Sequence, residues 1–395
     1  MKWENKGHEL DKDADYIVRN FHNHNKGIYI FGAGLIGNDI RPVFEKYQCF
    51  KAYIDNDQDK QMHGVDTAKV FSLKEFITKR NQEDGIIIIA ADKKNIPLIE
   101  VQLCEAGFEK DKDFYTYKKF MQYIFPILSV YEFNRTYVEL AQICLTERCT
   151  LKCKACAHGC YAVDASNQDM SLDVAKESAD NFFTYVDVAK EFVLIGGEPF
   201  LYHNLEEIIE YIGKRYRDKM IIFSITTNGT IIPKPAVLKL CYKYNILIRI
   251  SNYSVKIPRL EKKYDQLVNV LNEAHVQYVL GEKERQWMDY GFQSVDRGKE
   301  EKELLSTFDK CKTPCREIRG SRYYYCVMAR SVSDNLKFNI GEYDYLDLEN
   351  IKKYDKKIFQ EFELGYSEKG YLDMCNYCNG ADAVNYPIPA AEQSV

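Results

Sequence analysis

Three cysteines, Cys149, Cys153 and Cys156, lie in the run Cys-Thr-Leu-Lys-Cys-Lys-Ala-Cys, and Gly196-Gly197-Glu198-Pro199 follows about forty residues later behind an apolar run. Three thiolates on one short loop can hold three irons of a 4Fe–4S cubane, whereas an electron-transfer cluster takes four cysteines and closes every iron. The fourth iron would stay open to a ligand. A zinc site is the alternative for such a loop, because CxxC-type pairs are common zinc ligands in reducing compartments. Zinc would need a fourth ligand at matching spacing and would leave Gly-Gly-Glu-Pro at the end of the next strand unexplained.

The thirteen cysteines of this chain are not a disulfide framework. The stretch Met1 to Tyr16 is charged and lacks an apolar segment of the secretory kind, and no run approaches the ~20 apolar residues of a membrane span. A cytoplasmic protein is expected, in which clustered cysteines read as metal ligands. Cys49, Cys104, Cys144 and Cys241 sit in apolar contexts and read as ordinary buried thiols. A net charge of −5 argues against a nucleic-acid partner. At 395 residues the chain is too long for one ordinary core and should form two or three domains.

Residues 1–135 contain the first of them. A short apolar strand, residues 27–31, runs into Gly32-x-Gly34-x-x-Gly37 and a helical stretch, and a second strand ends at Asp55. The first glycine permits a tight turn, the second lets backbone approach a pyrophosphate, and the third lets helix pack on strand; Asp55 stands where a ribose-binding acid belongs. With the isoleucine run at 86–89 this reads as a Rossmann-type βαβ unit. It resembles the short nucleotide-binding domains at the N-termini of capsule and glycan biosynthesis proteins, which implies a nucleotide or nucleotide-sugar as ligand. The alternative is a docking domain that keeps its glycines for backbone geometry alone.

Residues 136–300 alternate strands and amphipathic helices, which predicts parallel strands with helices outside. The cysteine loop and Gly-Gly-Glu-Pro resemble those of the radical S-adenosylmethionine (SAM) superfamily. The resemblance implies an α/β fold with a partial (β/α)6 barrel and SAM on the open iron, cleaved reductively to methionine and a 5'-deoxyadenosyl radical. It implies that Gly196, Gly197 and Glu198 bind the SAM amine. Thr226, Thr227 and Asn228, and Ser251 and Asn252 on the strand after, would contact its carboxylate or ribose. Ala155 stands where many members carry an aromatic residue against the adenine.

Residues 301–380 hold Cys311, Cys315, Cys326, Cys375 and Cys378. They resemble a twitch domain, the shortened relative of the SPASM domain, which holds one auxiliary 4Fe–4S cluster. Cys311 fits the first ligand position better than Cys315, and one residue more than the family has separates Gly320 from Cys326. A zinc knuckle is the alternative. Residues 381–395 read as a surface tail.

The resemblance implies a radical SAM oxidoreductase. The nucleotide-type first unit points to a carbohydrate-type small-molecule substrate, with flavodoxin or ferredoxin as electron donor. Oxidation of an alcohol needs a base, for which Arg249, Tyr253 and Asp289 are the candidates. Epimerisation needs a hydrogen-donating thiol, for which Cys160 and Cys315 are the candidates. Peptide maturation, and a cluster-bearing scaffold without turnover, are the remaining alternatives.

Overall fold

The computed structural model describes residues 1–79, 84–163, 169–291, 296–311, 313–351 and 355–394. They form two compact units, His8–Arg135 and a larger one made of Met1–Gly7 with Thr136–Val395. The first seven residues thus part from the N-terminal unit in which the sequence places them. Trp3 is the reason. Its ring stacks on Phe362 with centroids 6.2 Å apart and its indole N–H donates to Glu361 at 2.9 Å. The Gly7 N–H donates to the same carboxylate at 2.8 Å.

The smaller unit carries β1 (Ile28–Phe31), β2 (Phe50–Ile54), β3 (Val70–Phe71), β4 (Ile86–Ile89) and β5 (Phe114–Thr116), all parallel, in the order β3-β2-β1-β4-β5. Every residue of β1 and β4 is buried, as expected of central parallel strands covered on both faces. Strand order reverses between β1 and β4, where open sheets of this kind form a crevice at their carboxyl ends. Cys104, expected to be buried, is exposed on the helix Ile96–Glu105.

The larger unit adds β6 (Tyr137–Cys144), β7 (Val188–Ile195), β8 (Met220–Thr227), β9 (Ile246–Ile250), β10 (Tyr278–Leu280), β11 (Gln286–Met288), β12 (Arg316–Arg319), β13 (Arg322–Tyr324), β14 (Tyr345–Asp347) and β15 (Pro387–Pro389). Its main sheet runs β10-β9-β8-β7-β6-β12-β13-β14 among the described residues. Strands β6 to β10 and β12 are parallel, and β13 and β14 antiparallel. Because β12 pairs with β6, the sheet continues through the boundary expected at residue 300.

The two faces of this sheet differ chemically. Phe192, Leu194, Phe223, Ile225, Ile248 and Ile250 are at most 2% exposed. Phe182 and Phe183 of the helix Leu172–Tyr185 pack on Phe192, at 5.2 and 5.0 Å between centroids. Period-two alternation puts Gln142, Glu191, Ser224, Thr226, Arg249, Ser251 and Glu317 on the other face, and the register confirms it: Glu317 stands opposite Gln142, and Thr226 opposite Arg249. A doubly buried parallel sheet would be apolar on both faces, so the polar face marks a site.

Residues 381–394 are not the surface tail expected of them. A turn of helix, Gly380–Asn385, leads into β15, which pairs with β11, and Ala391 is fully buried. The prolines at both ends of β15 suit a short edge strand. Among the described residues no helix is long and apolar enough to cross a membrane.

Candidate active site

The cysteine loop leaves the carboxyl end of β6 and is locked to the end of β7. Gly197 N–H donates to Thr146 O at 2.7 Å and Glu198 N–H to Arg148 O at 2.8 Å. A Cβ on Gly196 would lie 2.4 Å from Thr146 O, and one on Gly197 2.4 Å from Arg148 O and 2.8 Å from Cys149 Cβ. Both glycines are therefore already required by the approach of the cysteine loop, before any ligand is considered.

The donor set suits thiolates. Cys149, Cys153 and Cys156 are close enough to couple electrostatically. Cys149 Sγ receives the Leu151 N–H at 3.4 Å and the Asn228 amide at 3.5 Å, and Cys153 Sγ receives the Gln393 amide at 3.2 Å. N–H donors aimed at sulfur are what an iron–sulfur cluster uses. Burial pushes Cys149 and Cys153 up to about 11 and about 12, while a hydrogen bond from Cys160 pulls Cys156 below the usual thiol range. Among the described residues no three His, Cys, Asp or Glu side chains converge as a single metal ion requires.

Glu198 is fully buried. Its carboxylate accepts from Thr227 Oγ1 at 2.8 and 2.9 Å, from Asn228 N–H at 2.9 Å and from Phe200 N–H at 3.2 Å. It therefore ties the end of β7 to the end of β8, and burial raises it to about 7. Thr226 is half-buried on the polar face, and Ser251 N–H donates to Thr227 O at 2.9 Å. Asn252 uses its side-chain oxygen within its own turn, accepting from Ser254 Oγ at 2.8 Å. Tyr253 lies beside Cys153 and Cys156, and burial pushes its phenol up, so at neutral pH it keeps its proton and is not a base.

On the polar face Glu191 accepts from Arg249 Nε at 2.6 Å, from its terminal nitrogen at 2.8 Å and from Ser224 Oγ at 2.6 Å. A guanidinium stays protonated in proteins, so Arg249 cannot be the base that the sequence offers it as. Cys315 stands just before β12, and its charged neighbours are Arg316, Glu191 and Glu317. Cys160 is buried, with Glu147 Oε2 3.9 Å from its sulfur.

Sequence reasoning missed a buried network beside the cysteine loop. Arg330, 1% exposed, pairs with Glu147 and with Glu317. Gln142 donates to Glu317 at 3.0 Å, His158 Nδ1 meets Ser331 Oγ at 2.9 Å, and Asn335 donates to Glu147 at 2.9 Å and to His158 O at 2.6 Å. Glu147 and His158 flank the three cysteines, while Arg330, Ser331 and Asn335 lie on the helix Val327–Leu336, which Cys326 caps. An arginine within Val-Met-Ala-Arg-Ser-Val was the available signal.

The second cysteine group gathers Cys311, Cys326, Cys375 and Cys378. Cys326 couples to Cys311 and Cys378, and Cys375 to Cys378 and Cys311. Cys315 is absent from these couplings, although Tyr290 neighbours it along with Cys311, Cys326 and Cys378. Lys299 Nζ donates to the carbonyls of Cys375 at 2.9 Å and Cys378 at 2.8 Å, and Gly380 N–H to Cys378 Sγ at 3.2 Å. Buried Asp344 accepts from Asp373 N–H at 2.5 Å and Met374 N–H at 2.9 Å, fixing the turn that carries Cys375. Asp289 accepts from Gly291 N–H at 2.7 Å and lies beside Tyr161.

In the smaller unit Gly32 has φ +117°, and a Cβ there would lie 2.4 Å from Ala90 O; on Gly37 it would lie 2.0 Å from Gly32 O. Both are explained by backbone alone. Gly34 is different, because a Cβ there meets nothing within 4 Å. Asp55 accepts from Ala33 N–H at 2.8 Å, Asp57 N–H at 3.0 Å and Lys60 Nζ at 3.0 Å. Burial would raise its carboxyl, but these donors outweigh it and hold the group below its ordinary value.

Residues 143–272 match the model of the Radical SAM superfamily, so the chain carries a radical SAM domain, which implies SAM and a 4Fe–4S cluster. The uncharacterized protein MJ0907 of Methanocaldococcus jannaschii is 31% identical over 121 residues, covering 30% of this chain and 40% of that protein. The antilisterial bacteriocin subtilosin biosynthesis protein AlbA of Bacillus subtilis is 34% identical over 114 residues, covering 28% and 23%. The chain thus spans less than half the length of these relatives. Among solved structures, BtrN in complex with AdoMet and 2-DOIA aligns over 66% of this chain and 98% of that one, at 15% identity and a TM-score of 0.40.

Proposed function

We propose that the chain is a radical SAM oxidoreductase that takes a hydrogen atom from a carbinol carbon of a carbohydrate-type substrate held on the polar face of the large sheet. The observation that carries this reading is that face: Glu191, Ser224 and Arg249 form one hydrogen-bonded group on β7, β8 and β9, with Gly196-Gly197 at the carboxyl end of β7 and the three-thiol loop at that of its neighbour β6. When bound, SAM on the open iron of a 4Fe–4S cluster supplies the hydrogen-abstracting radical.

Turning the carbinol into a carbonyl also removes one proton and one electron. Glu191 is the carboxylate on this face that can take the proton from the substrate hydroxyl. Arg249 and Ser224 supply donors for substrate oxygens and hold Glu191 in place. Cys311, Cys326, Cys375 and Cys378 would hold a second cluster with every iron closed, which is the electron-transfer arrangement. A flavodoxin or ferredoxin in the cytoplasm would be the reductant. The smaller unit, with strand order β3-β2-β1-β4-β5 and a crevice where that order reverses, would by itself bind a nucleotide or nucleotide-sugar at Gly32, Gly34 and Gly37, with Asp55 on a ribose.

One observation favours a second reading, epimerisation. Cys315 stands apart from the coupled cysteines and beside Glu191, where a thiol could return a hydrogen atom to substrate. Turnover by the reconstituted holoenzyme in deuterium oxide separates the two, with nucleotide-sugars, aminocyclitols and short peptides as candidate substrates. Oxidation gives 5'-deoxyadenosine carrying substrate hydrogen and a product two mass units lighter. Product of unchanged redox level with carbon-bound deuterium, lost in Cys315→Ala, would replace oxidation by epimerisation. Turnover of the peptides alone would replace the carbohydrate. No deoxyadenosine under any condition would leave a scaffold.

A further inference from the structure

The C-terminal segment returns to the cysteine loop and lies along it as a strap. Lys154 N–H donates to Glu392 O at 2.8 Å, Ser394 N–H to Lys152 O at 2.6 Å, and Cys153 and Gln393 form an antiparallel bridge. Lys154 Nζ pairs with Glu392 at 3.0 Å, but that pair is exposed and contributes little. The strap is anchored on its other side by β15 on β11 and by buried Ala390 and Ala391.

The orientation of the Gln393 amide follows from its partners. Its oxygen accepts the Lys152 N–H at 2.8 Å. Its nitrogen must then carry the two protons, and one goes to Ala391 O at 2.7 Å. The other points at Cys153 Sγ, 3.2 Å away. An amide has two donors and one oxygen, so this arrangement satisfies both N–H bonds and leaves no alternative flip.

We infer that Gln393 is a positioning residue for the loop cluster: it donates a fixed N–H bond to the Cys153 thiolate and raises the reduction potential of the cluster bound there. This rests on the proposed radical SAM reading. Reduction adds negative charge that spreads onto the ligand sulfurs, so an N–H donor held at sulfur stabilises the reduced form more than the oxidised one. The strap thereby ties a segment some 240 residues away in sequence to the ease with which the site accepts an electron.

The test is an anaerobic redox titration of the full-length holoprotein, followed by the electron paramagnetic resonance signal that shifts on adding SAM, which separates the loop cluster from the auxiliary one. Gln393→Met keeps length and apolar contact but removes the donor. Its reduction equilibrium should become about tenfold less favourable, a 59 mV lower midpoint for a one-electron couple, with iron content unchanged. Gln393→Glu replaces the donor by a carboxylate and should lower the midpoint at least as far. Reduction equilibria within about twofold of the wild type in both variants, at full iron content, would overturn the inference. Loss of iron in Gln393→Met would also overturn it, by making the residue a structural clamp. A wild-type protein with no SAM-responsive cluster would instead bring down the radical SAM reading itself.

Discussion

Glu198→Gln tests whether burial or hydrogen bonding controls the carboxyl that ties β7 to β8. Glu198 has no exposed surface, and burial raises it from 4.5 to about 7 despite three hydrogen-bond donors, Thr227 Oγ1, Asn228 N–H and Phe200 N–H. A carboxyl raised in the folded state holds its proton at pH values where the unfolded chain has lost it. Its contribution to stability is therefore complete below pH 4.5 and is lost as pH rises through about 7. At 1.36 kcal/mol for each tenfold change in proton affinity, the loss amounts to about 3 kcal/mol. Glutamine does not titrate, but its NH2 must face either Asn228 N–H or Phe200 N–H, which costs about 1–3 kcal/mol at any pH. The stability of the variant relative to the wild type should accordingly improve by about 3 kcal/mol between about pH 4 and about pH 8. Both tryptophans, Trp3 and Trp287, lie in the larger unit, so urea unfolding of the reduced, metal-free protein followed by their fluorescence reports on the unit that holds Glu198. Comparing the two proteins cancels every other titrating group. A relative stability that changes by less than about 1 kcal/mol over that range would refute the argument that burial dominates.

Two further outcomes are expected. By the cubane count, reconstituted protein should hold about eight irons per chain; joint replacement of Cys149, Cys153 and Cys156 by alanine, or Cys311→Ala alone, should each remove about half, whereas Cys315→Ala should remove none, all read by iron analysis. In the smaller unit, Gly37→Ala should destabilise β1 by about 2 kcal/mol or more, seen as faster amide exchange in the full chain. Gly34→Val should leave that exchange unchanged and abolish nucleotide or nucleotide-sugar binding by calorimetry, because its side chain projects into open space.

Some of this molecule is legible residue by residue. A CxxxCxxC loop constrains its own chemistry, because thiols so near in sequence are near in space under any fold. Gly196 and Gly197 were also readable, although their first use is to admit the loop backbone at 2.4 Å. The parallel strands could be read because each is a local apolar run, and Cys49, Cys144 and Cys241 are buried as their contexts suggested. What sequence could not supply is pairing between distant segments. The chemistry of a guanidinium already excludes Arg249 as a base, but its partner Glu191, 58 residues away, is not marked by any local pattern. Arg330 reaches Glu147 across 183 positions, and no local pattern announces the partner of a buried charge. Residues 381–395 read as a tail because short polar and proline-containing segments usually are, yet two-stranded pairing, two buried alanines and backbone hydrogen bonds at Glu392 and Ser394 hold the described part, 381–394, against the cysteine loop. Local spacing determines which atoms are available for chemistry. Only the folded sheet decides which of them share a face, which are already spent on one another, and which distant amide comes to rest on a thiol.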